Sequence, residues 1–213
     1  MKKYFIIIAL TFVSSPLFAQ FFSSIGFETG MVYSVNSSSD GAPSPILPYF
    51  GVSGRAGISD SISLNPSVLL TGNYYLWSEE ENKSIPAEIE YADSVWFLSI
   101  IMDVPVTFSY MIREKISVDL FMSPALVFKV PFKTWGTGEE DRGEMLRWFY
   151  SGRFVFFEAG TGVTWDYSDK RAFGLKTAIF YPLYHIWEGS DYLDRIMVKL
   201  GFTFSFKRNS SSS

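Results

Sequence analysis

Cysteine is absent from the chain, and histidine occurs once, at His185. The first absence excludes disulfides, thiol catalysis and cysteine-ligated metals. The second removes the commonest ligand of a transition-metal centre, so neither a metal nor another cofactor is expected. A long apolar run is also missing. Past residue 20, no segment reaches the roughly 18 unbroken apolar residues that a transmembrane helix needs. Positive charge is in short supply. Lys and Arg number 18 against 22 Asp and Glu, a net charge of −4, so there is no basic footprint for nucleic acid.

What is present begins with an export pattern. Lys2 and Lys3 precede an apolar run from Tyr4 to Val13, and Ser14, Ser15 and Pro16 loosen the chain before Ala19. A basic start, a short apolar core and a small residue at the cut read as a signal peptide over residues 1–19. The run is too short to span roughly 30 Å of hydrocarbon as a helix. One domain, residues 20–206, is expected to follow, and then a disordered polar tail over 207–213.

The domain alternates. Ile196, Val198, Leu200, Phe202, Phe204 and Phe206 share one parity, and Met197, Lys199, Gly201, Thr203 and Ser205 take the other. Period two is the signature of a strand whose faces meet different surroundings. The pattern predicts strands near 24–35, 46–58, 62–77, 94–110, 116–130, 153–167, 172–185 and 196–206. The connections alternate too. Those at 59–61, 111–115 and 168–171 are short, and those at 36–45, 78–93, 131–152 and 186–195 are long. Short turns at one end and long loops at the other belong to membrane barrels. The predicted fold is all-β: an eight-stranded antiparallel up-and-down transmembrane β-barrel.

The apolar parity includes Phe27, Phe50, Leu70, Met102, Leu120, Phe157, Ile179 and Leu200. The other parity carries the charges: Glu28, Arg55, Asp103, Asp119, Lys129, Glu158, Asp166, Lys176 and Lys199. Between them lie Gly, Ser, Thr and Ala. A soluble barrel, turned the other way out, would need roughly 25–35% charge on that face. Small residues with sparse charges instead suit the crowded interior of eight strands. Aromatics near strand ends, such as Tyr33, Trp165, Tyr167, Phe204 and Phe206, suit interfacial girdles. Pro48, Pro66, Pro105, Pro124 and Pro182 fall inside the predicted strands. Proline cannot donate to a ladder, so each is expected to mark a bulge or a strand limit.

The stretch from Ile100 to Phe108 with Pro105, followed after a short turn by Leu120 to Leu126 with Ser123-Pro124-Ala125, resembles small bacterial outer-membrane barrels of the OmpX and OmpW types. The alternation ending at Phe206 resembles the signal read by the barrel-assembly machinery, although Lys207 to Ser213 follow it. The resemblance implies an outer-membrane location, outer-membrane lipid and the assembly machinery as partners, and no single activity.

Four constellations could carry function. The inward charges read as a salt-bridge network filling the lumen, with Asp166 and Lys176 as neighbours across the 168–171 hairpin. Inward aromatics Tyr49, Tyr75, Trp77, Phe97, Phe154, Phe156, Phe180 and Tyr184 gather toward the long-loop end. They could line a cavity for a small hydrophobic molecule, which the OmpW resemblance also implies. His185 with Glu188 and Ser190 could imitate the triad of a lipid-modifying hydrolase at the rim. Finally, Glu79, Glu80, Glu81, Glu88, Glu90 and Asp93 share one long loop, and Glu139, Glu140, Asp141 and Glu144 another. The leading expectation is a non-enzymatic, porin-like or hydrophobic-ligand-binding barrel. The alternative is a structural or adhesive barrel with a closed lumen acting through its acidic loops. A hydrolase ranks third.

Overall fold

The computed structural model describes residues 21–35, 46–78, 83–85, 94–135, 153–185 and 196–208. The strands are β1 (Ser24–Val35), β2 (Ile46–Gly57), β3 (Ile62–Leu64), β4 (Ser67–Ser78), β5 (Lys83–Ile85), β6 (Ser94–Asp103), β7 (Val106–Arg113), β8 (Ile116–Trp135), β9 (Arg153–Ser168), β10 (Arg171–His185) and β11 (Ile196–Lys207). β3 with β4, and β6 with β7, each form a single stave broken at a proline. β5 pairs only with β4. The remaining strands make eight antiparallel staves. Each pairs with the next in sequence, and β1 closes on β11 from Ser24↔Lys207 to Val35↔Ile196.

Closure follows from the solvent. Hydrocarbon offers no partner to a backbone N–H or C=O, so a spanning sheet must have no free edge. The side chains confirm which solvent lies where. Phe27 is 60% exposed and Leu200 48%, while Glu28 is 2% exposed and Glu158 is fully buried. Apolar residues cover the outside and the charges are inside, the reverse of a soluble domain. At the short-turn end, Trp165, Tyr167, Phe204 and Phe206 form a chain of ring contacts 4.9 to 6.3 Å between centroids, as an interfacial girdle requires.

The turns at that end are tight. Glu114-Lys115 joins β7 to β8, and Asp169-Lys170 joins β9 to β10. Between β2 and β3, Ile58 N–H and Ser59 N–H both donate to Ile62 O, and Ile62 N–H donates to Ser59 Oγ. Apart from β5 and the 131–135 end of β8, the connections at the other end, including the acidic residues of both loops, lie outside the described residues.

The prolines behave in three ways. Pro66 and Pro105 do limit strands, yet register continues across both breaks. Ala56↔Leu64 and Ser53↔Ser67 are in one frame, as are Leu64↔Val106 and Ser67↔Asp103. Face parity is therefore kept, and Ser63, Ser67, Asp103 and Thr107 are all buried. Pro182 marks a bulge, where register shifts before Tyr184. Pro48 and Pro124 mark neither and sit in regular register with Met31 and Phe157. Pro48 is tolerated because the backbone pairing of β2 with β4 stops at Tyr49↔Thr71. Thr71 Oγ1 then donates to Pro48 O at 3.0 Å, so the missing donor falls where that ladder has ended.

Because Leu200 faces outward near the middle of β11, Leu200→Arg should destabilise the barrel by about 2–4 kcal/mol in lipid. Reversible urea unfolding in vesicles would measure this. A neutral result would mean that this face meets water.

Candidate functional site

The lumen is built in tiers from alternate residues of the staves. Its centre is Lys199 on β11, 3% exposed. The Nζ atom lies 2.9 Å from Glu158 Oε1 on β9, 3.4 Å from Glu28 Oε1 on β1 and 4.0 Å from Asp103 Oδ2 on β6. Lys176 on β10 adds a second cation, 3.3 Å from Glu28 Oε2. Tyr49 on β2 donates its hydroxyl to Glu28 Oε1 at 3.0 Å, and Ser67 on β4 donates to Asp103 Oδ1 at 2.8 Å. Residues far apart in sequence thus converge on one ammonium group. A charge this buried is tolerable only when opposite charges and hydrogen bonds surround it.

A second polar tier lies toward the short turns. Asp119 accepts from Ser109 Oγ at 2.6 Å and from Thr164 Oγ1 at 2.7 Å, and Arg55 Nη2 donates to Ser109 Oγ at 3.0 Å. At the mouth, Asp166 pairs with Lys207 at 2.7 Å. The expected Asp166–Lys176 pair therefore does not form. Lys176 stands opposite Gly162, four residues along β9 from Asp166, and its side chain reaches across the lumen to Glu28. Lys207, assigned from sequence to the tail, is the last residue of β11.

Toward the long loops the lumen turns apolar. Tyr49, Phe156 and Phe180 are buried to 1% or less and pack with Val32, Leu69, Ile101, Val127 and Met197. Phe180 also lies under Lys199, with Nζ 5.3 Å from its ring centroid, a cation–π contact joining the tiers. Glycine makes this packing possible. A Cβ on Gly201 would collide with Tyr49 Oη, and one on Gly160 with the Phe121 ring. Phe154 and Lys129 are half-buried on the same inward parity. The side chains of Tyr75, Trp77, Phe97 and Tyr184 lie outside the described residues, as do those of Arg153 and His185; Glu188 and Ser190 lie outside them entirely. What remains open among the described residues is a cavity of about 20 Å³ between the two polar tiers, touching Asn65, Asp103, Pro105 and Asp119. That is room for one water.

The charged members of these tiers lie on the inward parity of the sequence, although sequence assigns Lys207 to the tail. Ser67 and Tyr49 share that parity, but small polar residues and a tyrosine carry no mark of which will pair: Ser67, Ser109, Thr164 and the Tyr49 hydroxyl each donate to a carboxylate.

No family model matches the chain, and no curated protein matches it in sequence. Among solved structures it is similar to Neisserial surface protein A, at 8% identity and a TM-score of 0.51, over 87% of this chain and 96% of that one. Ail, the attachment invasion locus protein of Yersinia pestis, aligns at 9% identity and a TM-score of 0.45, over 87% and 97% of the two chains. The N-terminal β-barrel domain of Pseudomonas aeruginosa OprF aligns at 10% identity and 0.42, over 86% and 98%. The first of these likenesses shows the fold, that of a small outer-membrane β-barrel, as the sequence resemblance implied.

Lys199→Met should cost about 3–5 kcal/mol, because it leaves Glu28, Asp103 and Glu158 buried around an uncharged stem. Lys176→Met removes a partner from one carboxylate at the edge of the cluster and should cost less. Unfolding in lipid of the two variants tests the order, and an equal or reversed cost would remove Lys199 from the centre of the network.

Proposed function

We propose that this small transmembrane barrel is exported to the bacterial outer membrane, that its lumen is closed, and that its exchanges with the surroundings take place at its long acidic loops. One observation carries the reading: the lumen is filled from both ends. Among the described residues the polar tiers pair their charges across the short-turn half, the apolar tier packs Tyr49, Phe156 and Phe180 in the other half, and the cavity between the polar tiers has room for one water. A porin-like path would need a continuous polar bore, and the buried aromatics stand across it. The signal pattern at residues 1–19 supports export, and the apolar outer face supports residence in lipid.

With the bore filled, the chemistry left for partners is the carboxylate-rich sequence of the loops, Glu79 to Asp93 and Glu139 to Glu144. Clustered carboxylates suit divalent cations that bridge to anionic lipid, or a basic surface on another molecule. Nothing in this reading requires catalysis.

The fully buried aromatic tier favours one second reading. Tyr49, Phe156 and Phe180 could form the floor of a site for a small hydrophobic molecule, with Tyr75, Trp77, Phe97, Phe154 and Tyr184 above them.

Planar-bilayer recording separates these. The closed-lumen reading expects no steady single-channel conductance, and stable conductance steps would overturn it. Native mass spectrometry of detergent-extracted protein is expected to give the bare polypeptide mass. A discrete apolar adduct, lost in Trp77→Ala and Phe156→Ala, would instead assign ligand binding to the aromatic tier.

A further inference from the structure

Three of the strand prolines fall in one row around the wall. By register, Pro66 stands between Gly54 of β2 and Val104, Pro105 between Asn65 and Ser123, and Pro124 opposite Val104. Three neighbouring seams are each short of one amide donor at this level. Gly54 N–H donates to Pro66 O and Asn65 N–H to Pro105 O, both at 2.9 Å, and the prolines cannot return those bonds. At the third seam a side chain has entered the ladder. Val104 N–H donates to Ser123 Oγ at 3.0 Å, and that hydroxyl donates on to Pro124 O at 2.5 Å. The closing seam on the other side of the barrel is unbroken along the whole length of β1 and β11.

The cavity between the polar tiers lies behind this row, against Asn65, Ser67, Asp103, Pro105 and Thr107. Asn65 and Asp103 line it; Asn65 Oδ1 has no hydrogen-bond partner within the protein, and Asp103 Oδ2 has the Lys199 ammonium at 4.0 Å. On the lipid side the row shows Val104, 49% exposed, and Pro124. Parting two staves in hydrocarbon normally breaks reciprocal amide bonds whose groups find no new partner there. Here fewer bonds break.

We propose that the staves β3/β4, β6/β7 and β8 part along the proline row, so that the barrel opens sideways between its outer face and the central cavity while the β1–β11 seam stays closed. The opening reaches the charge cluster from the outer face without passing the apolar tier. It does not depend on what the loops bind.

Amide hydrogen exchange measured by NMR on the protein in lipid nanodiscs tests this. Exchange at Gly54, Asn65 and Val104 is expected to be about tenfold or more faster than at Met31 and Leu200, which stand opposite each other in the closing seam. The chain lacks cysteine, so Asn65→Cys provides a unique probe behind the row, expected to react with a methanethiosulfonate reagent that partitions into lipid. Replacing Pro66, Pro105 and Pro124 by alanine restores three donors and should slow both exchange and labelling. Equal exchange rates across the two regions, or labelling unchanged by the alanines, would overturn the proposal. If the triple variant fails to assemble, the exchange comparison in the unaltered protein decides alone.

Discussion

Backbone hydrogen bonding in a medium without water governs this molecule. A strand in hydrocarbon must satisfy its amides on both sides, so the eight staves have to close, and the full-length pairing of β1 with β11 is the consequence. Closure sets the interior. Eight staves leave a bore only wide enough for side chains, and everything polar that the lipid face rejects must fit there. The glycines that face Tyr49 and Phe121 are part of that fit, since a methyl group at Gly201 or Gly160 would occupy the place of a ring or a hydroxyl.

The lumen resolves the resulting electrostatic problem by convergence. Lys199 is surrounded by carboxylates from three other staves, and one of them, Glu28, is shared with Lys176 and Tyr49. Such a cluster ties β1, β6, β9, β10 and β11 together across the bore, where no backbone bond can reach. It works as a cross-brace. The apolar tier above adds ordinary core packing, an arrangement soluble domains use and wide porins lack.

The same constraint makes the proline row informative. Elsewhere a missing donor is accommodated by position, as at Pro48, where the ladder has already ended. At Pro66, Pro105 and Pro124 the missing donors lie within the wall, in register, and beside the cavity between the polar tiers. Register survives because each break is compensated locally, by a carbonyl that still accepts or by the Ser123 hydroxyl.

Much of this was legible in the chain itself. Period-two alternation and the lengths of the connections determined the barrel, its strand number, its inside and its outside, because a two-residue repeat assigns every side chain to a face without knowledge of its neighbours. Within a stave, Glu28 or Lys199 could be placed inward from sequence alone. Which charge meets which could not be read, because pairing runs across the bore between residues whose separation along the chain is unrelated to their separation in space. Asp166 looked adjacent to Lys176 through their shared hairpin, yet the stagger of β9 against β10 and the closure of β11 on the other side gave it Lys207 instead. The inward aromatics had the composition of a pocket, and only the radius of the closed barrel showed Tyr49, Phe156 and Phe180 packed against one another. Sequence determined the faces, since they depend on local geometry. Tertiary structure decided the partners and the filled lumen, since both depend on how the sheet closes on itself.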